Sequence, residues 1–131
     1  MGSSQAKGIK KYPVFIPPIK KCKVIKVYDG DTITVISKIP WLFRSRTYKF
    51  SIRFRGIDAP ELRTKNNRAI ISKNALAKKI LNKKVELVNL GTEKYGRVLC
   101  DVYYRGLNLG DWMIKNGYAV EYDGGKKKIF H

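Results

Sequence analysis

Val24-Ile25-Lys26-Val27-Tyr28-Asp29-Gly30-Asp31-Thr32-Ile33-Thr34-Val35-Ile36 holds two β-rich runs that meet at an Asp-Gly pair. Valine, isoleucine, tyrosine and threonine suit a pleated, half-buried surface, and Asp-Gly between two such runs signals a hairpin. The expected turn is the ordinary type I′, which gives Asp29 a structural reason to stand where it does. Downstream, Tyr48, Phe50, Ile52 and Phe54 alternate strictly with Lys49, Ser51, Arg53 and Arg55, the pattern of a strand with one buried face. Val85 to Val88 and Val98 to Tyr104 read as two more strands, separated by a turn around Gly91 to Gly96.

Two helices are expected among these strands. The first, capped by Thr64 or Asn66, runs to about Leu81, with Ala69, Leu76, Ala77, Ile80 and Leu81 near helical spacing and lysines between them. The second is short and begins around Leu109, Trp112 and Met113, with Asn108 at the cap position and Gly117 as a left-handed terminator. Tyr118 to Tyr122 adds a last extended piece. Five short strands, with one helix before the fourth and another after the fifth, predict an α+β fold. It is a β-barrel with helices: a five-stranded Greek-key barrel of the oligonucleotide-binding type (OB-fold) with two or three packed helices. The barrel domain is expected over 20–123, between a flexible basic N-terminal arm at 1–19 and a basic tail at 124–131. The Ile39 to Arg46 connection carries Trp41 and Phe43 beside Arg44 and Arg46, and the aromatics are expected to fold back on the barrel rather than stack on a ligand.

The chain has 131 residues, one domain's worth, with 28 Lys+Arg against 10 Asp+Glu and a formal charge of +18. With 44% hydrophobic residues and 8 Tyr, 5 Phe and 2 Trp it can bury a core, so wholesale disorder is excluded. No apolar stretch reaches the length of a membrane span and no secretory leader is recognisable, so an intracellular monomer with no membrane association is expected. Two cysteines and one histidine are too few for a disulfide framework or a four-ligand zinc site. A surplus of positive charge this large attracts polyanions, and nucleic acid is the leading partner.

In so basic a chain each carboxylate is informative. Asp29/Asp31 and Asp58/Glu61 form two tight pairs at strand ends, where a barrel brings them together. Grouped carboxylates repel unless arginines or a cation neutralise them, and an oxygen-only cluster selects a hard ion such as Ca²⁺ or Mg²⁺. Arg53 and Arg55 lead into the second pair, and Lys94-Tyr95-Gly96-Arg97 closes a turn into the fifth strand. Fixed guanidinium charges beside a metal and a carboxylate are the parts that phosphodiester cleavage requires.

Val27-Tyr28-Asp29-Gly30-Asp31-Thr32, Ile52-Arg53-Phe54-Arg55-Gly56-Ile57-Asp58-Ala59-Pro60-Glu61 and Glu93-Lys94-Tyr95-Gly96-Arg97 together resemble the staphylococcal (thermonuclease or micrococcal-type) nucleases, over about Lys21 to Tyr122. That resemblance implies a calcium-dependent endonuclease that hydrolyses DNA and RNA with low sequence specificity, leaves 3′-phosphate ends and prefers single strands. It implies Asp31, Asp58 and the backbone carbonyl of Ala59 as Ca²⁺ ligands. Glu61 corresponds to the residue that activates or orients water, Arg53 and Arg97 to the pair on the scissile phosphate, and Lys94 and Tyr95 to substrate contacts. The connection after the second strand is longer than in the staphylococcal enzyme, and the segment between Glu61 and Lys94 is shorter. The competing reading is a catalytically silent nucleic-acid-binding barrel, which has no need of Asp31, Asp58, Glu61, Arg53 and Arg97 together.

Overall fold

The computed structural model describes residues 12–39, 46–61 and 67–123. The aromatic connection at 40–45, the expected caps Thr64 and Asn66, the tail at 124–131 and most of the arm lie outside the described residues. Strands β1 (Lys21–Asp29) and β2 (Thr32–Ser37) form the expected hairpin, with Asp29 paired to Thr32. Antiparallel β3 (Tyr48–Phe54) follows beside β2 and puts Ile52 and Phe54 in the core. The remaining long strands, β5 (Lys84–Thr92) and β6 (Val98–Tyr104), are antiparallel. Between β3 and β5 lie the two-residue β4 (Ile57–Asp58) and helix α1 (Asn67–Ile80). After β6 come β7 (Leu107–Asn108), α2 (Leu109–Lys115) and β8 (Val120–Glu121).

The long strands follow one another in the order β3-β2-β1-β5-β6, and a parallel pairing of β3 with β6 closes the ring. The result is the expected five-stranded barrel with two helices among the described residues. Val24, Val27, Ile33, Val35, Ile52, Phe54, Leu87 and Val102 fill its interior. Burying each such side chain is worth roughly 1.5–3 kcal/mol, and this drives closure. Ile19, just before β1, is also buried, while Tyr12 to Ile16 are exposed.

Helix α1 buries Ala69, Ser72, Leu76 and Ile80, so the stripe is the expected one up to the helix end. Leu81 departs from it and is exposed. Asn82 adopts a left-handed conformation, at φ 66°, and donates its N–H to Val24 O, which turns the chain toward β1 and leaves Leu81 outside. Helix α2 ends as anticipated. Gly117, at φ 77°, donates to Ile114 O, and Tyr118 donates to Met113 O, the two bonds of a Schellman cap. Asn108 caps the other end by accepting from Asp111 N at 3.1 Å.

The hairpin turn corrects the sequence expectation. A type I′ turn needs positive φ at both central residues, but the two-residue turn here is Gly30-Asp31 and neither has it. Gly30 is needed for space: a Cβ there meets the Ala59 Cβ at 2.7 Å, the Ser72 Cβ at 3.0 Å and the Met113 Cε at 3.2 Å. The turn is wedged between β4, α1 and α2. Gly30→Ala forces backbone apart rather than displacing one flexible tip, and is expected to cost about 1–3 kcal/mol. A thermal melt reads this as a Tm lower by several degrees, and an unchanged Tm would show that the wedge is not tight.

Candidate active site

The wedged turn delivers the first carboxylates. Asp31 is buried, and its Oδ2 accepts from Ala59 N at 2.8 Å while Oδ1 accepts from Thr32 Oγ1 at 2.8 Å. Asp29, also buried, accepts from Asp31 N at 3.1 Å. Asp58 comes from β4, held in register by β8 through the pairs Ile57–Glu121 and Asp58–Val120. The next turn of chain is fixed by Tyr122 N donating to Gly56 O at 2.9 Å. Two strands of two residues each thus anchor a carboxylate that neither would hold alone.

Arg53 lies between the acids. Its Nη2 is 3.5 Å from both Asp31 Oδ2 and Asp58 Oδ1, and its Nη1 donates to Phe54 O at 2.6 Å. Burial and the neighbouring Asp31 carboxylate push Asp29 up to about 7. The turn between β5 and β6 brings Arg97, whose Nη2 sits 2.8 Å from Glu93 Oε2. Glu93 Oε1 also accepts from Tyr95 N and Arg97 N, so one carboxylate ties up the whole turn. Those bonds from Arg97 hold the Glu93 carboxyl below the usual range and raise Arg97 further. Arg97 Nε is shielded from solvent and has no hydrogen-bond partner among the described residues. A buried donor without an acceptor is uncommon enough to mark a place where an incoming oxygen belongs.

All these groups face one cleft of about 1040 Å³, lined by Asp29, Asp31, Arg53, Asp58, Glu61, Glu93 and Arg97, with Lys94, Tyr95, Tyr28 and Tyr122 also on its walls. Every side chain singled out from sequence, Arg53, Glu61, Arg97, Asp31, Asp58, Lys94 and Tyr95, opens onto it. Ala59, named for its carbonyl, is tied to Asp31 through its N–H. Arg55 also lines the cleft, but its Nη2 is engaged there, donating to Asn89 O at 2.7 Å and Leu99 O at 3.2 Å. Glu93 was missed as a site residue, although an acid four positions before an arginine across a Lys-Tyr-Gly turn is a readable signal.

The family described as Staphylococcal nuclease homologue matches residues 51–130, more than half of the chain. The chain belongs to the staphylococcal nuclease family. Among its relatives, an uncharacterized endonuclease of Haemophilus influenzae is 34% identical over 101 residues, which is 77% of this chain and 52% of that protein. A probable staphylococcal-like nuclease of Oryza sativa subsp. japonica is 42% identical over 71 residues, 54% of this chain and 18% of that one. An endonuclease of Saprolegnia parasitica is 30% identical over 116 residues, covering 76% and 54% of the two chains. The chain spans about half the length of the Haemophilus and Saprolegnia relatives and less of the rice one. This staphylococcal nuclease barrel therefore carries its cleft on the family's framework, with the Asp29-Gly30-Asp31 turn ahead of the matched stretch.

Whether the cleft suits a cation is a question of donors. No cluster of three or more metal-ligating side chains is gathered among the described residues. The available set is oxygen only: two buried aspartates reached by one Arg53 nitrogen, with the Ala59 backbone bonded to one of them. Such an oxygen set suits a hard cation, and two carboxylates suffice where water and substrate oxygens complete the shell. The residues fit.

Because the Glu93 carboxyl is lowered in the folded chain, its pairing stabilises the fold fully above the ordinary glutamate value, and that contribution is lost as pH falls through the lower folded one. Glu93→Gln is therefore expected to lower stability by about 1 kcal/mol or less at neutral pH, and not at all in strong acid. Melts of both proteins across the acid range check this: curves that converge with falling pH agree, and parallel curves would contradict it.

Proposed function

We propose that this chain is a calcium-dependent phosphodiesterase, an endonuclease of low sequence specificity acting on DNA and RNA and leaving 3′-phosphate ends. The observation that carries the reading is the convergence of two arginines, two buried aspartates and Glu61 on one cleft. The metal ligands in this proposal are Asp31, Asp58 and the carbonyl of Ala59. When bound, the cation supplies positive charge against the phosphate oxygens and draws water toward the reacting centre.

The remaining work falls to the chain's own residues. Arg53, already fixed by Phe54 O and the two aspartates, holds its guanidinium ready for a phosphate oxygen. Arg97 offers the unpartnered Nε while Glu93 occupies its Nη2, so the fork is oriented before substrate arrives. Both charges oppose the negative charge that grows on the phosphate in the transition state. Glu61, on the same cleft, orients the attacking water and accepts its proton. Lys94 and Tyr95 contact the neighbouring nucleotide. That contact is to the nucleotide's phosphate, and single strands are the preferred substrate.

Incubation with single-stranded and duplex DNA and RNA in Ca²⁺, in Mg²⁺ and in chelator tests the reading directly. Glu61→Gln is expected to slow cleavage by roughly 10²-fold or more, the scale of a lost general base. Full activity in that variant, or in excess chelator, would refute the assignment.

Substrate affinity is expected to be mostly electrostatic. With a +18 chain, binding to single strands should fall with salt along a log–log slope of about −0.7 per phosphate contacted. A titration that is flat in salt would show that charge does not hold the substrate.

A further inference from the structure

Tyr28 is 53% exposed, on the face of β1 opposite its buried neighbours Val27 and Asp29, where strand alternation puts it. The register at this point is irregular. Val27 pairs with Ile33 and Asp29 with Thr32, so three residues of β1 face two of β2 and Tyr28 is the extra one of a β-bulge. A second irregularity, between Val24 and Lys26, precedes it. Bulges re-aim side chains, and they recur beside active sites. Here a large aromatic ring stands at the bulge and on the wall of the cleft, immediately before the Asp29-Gly30-Asp31 turn. Lys26, two residues back on the same exposed face, holds its Nζ 5.8 Å from the ring centroid.

The same pairing occurs once more on this cleft: Tyr95 is 72% exposed and Lys94 Nζ lies 5.2 Å from its ring. Tyr28 stands outside the hydrophobic core, and a ring plus an ammonium is the equipment for a base and its phosphate. We propose that Tyr28 and Lys26 form a second nucleotide subsite of the cleft, the ring stacking a base of a single strand and the lysine contacting its phosphate. The subsite rests on reading the cleft as a nuclease site, and it adds a base platform at the β1 bulge to the phosphate contact of Lys94 and Tyr95 on the β5–β6 turn. A strand seated on both is held at two places, with the arginines and aspartates of the same cleft acting on the backbone.

The test is a binding titration of the full chain in chelator, so that nothing is cut, with fluorescent oligodeoxythymidylate and an abasic strand of equal length. Tyr28→Leu keeps an apolar side chain but loses the π face. It is expected to weaken binding of the base-bearing strand roughly 5- to 150-fold, the equivalent of one stacked base. Tyr28→Phe should bind like wild type, and on the abasic strand Tyr28→Leu and wild type should agree. Lys26→Gln should weaken both strands alike and reduce the salt slope by about 0.7. Tyr28→Leu with unchanged affinity for the base-bearing strand, or with equal losses on the two strands, overturns the subsite. If wild type neither binds these strands nor cuts the base-bearing one in Ca²⁺, the nuclease reading falls and the subsite with it. If wild type does both while Tyr28→Leu is unaffected, only the subsite falls.

Discussion

The absence of a side chain at Gly30 is the constraint on which the site depends. Because nothing projects there, the β1–β2 turn lies directly against Ala59, Ser72 and Met113, three elements distant in sequence. That contact brings Asp31 within hydrogen-bonding reach of Ala59 N and thereby sets the first pair of carboxylates beside the second. Phe54 N donates to Asp31 O at 2.8 Å, so the strand bearing Arg53 is fastened to the same turn. A shift of one methyl group at Gly30 would move the metal-ligand candidates and the phosphate-gripping candidate together.

Electrostatics then decides what the cleft is suited to. A chain at +18 concentrates anionic ligands over its whole surface, which speeds encounter but selects no chemistry. Selection comes from the small buried acidic spot inside that field. Asp29 rises to about 7 because burial and Asp31 oppose its charge, while Glu93 is lowered because it is hydrogen-bonded to Arg97. Arg53 stands between Asp31 and Asp58, and Arg97 pairs with Glu93. On the proposed reading, a phosphodiester with its cation would bring positive charge to the aspartates and an oxygen to Arg97 Nε. Neither cysteine takes part, since Cys22 and Cys100 are buried and burial pushes the Cys100 thiol up to about 12.

Most of the barrel was legible because its signals are local. Alternation over Phe50 to Phe54, the cap at Asn108 and the terminator at Gly117 each depend on a few adjacent residues and are found where the pattern puts them, whereas Tyr48, at the start of β3, is exposed rather than on the buried face. The carboxylates were legible for a different reason, their rarity. What the pattern did not reveal is long-range. Asp-Gly suggests a turn type from two residues, but the demand at Gly30 comes from Ala59, Ser72 and Met113. The bulge at Tyr28 depends on a register between strands, which no single run of sequence specifies. Leu81 continues the helical spacing yet falls outside, because Asn82 answers to Val24 across the fold.

The short strands show how such long-range terms accumulate. β4 and β8 have two residues each, too few to persist as an isolated pair. They persist because Gly30 seats Ala59 from one side, while Ser72 Oγ donates to Tyr118 O at 2.6 Å and brings the chain after α2 up from the other. Trp112 packs against Tyr118 with ring centroids 5.7 Å apart, and Lys79 lies 4.6 Å from the Trp112 ring, so both helices share in placing that segment. Asp58 therefore takes its position from the hairpin, from α1 and from α2 at once. A carboxylate held from three directions cannot relax away from a like-charged neighbour, which is how the fold keeps Asp31 and Asp58 close enough for one arginine nitrogen to touch both.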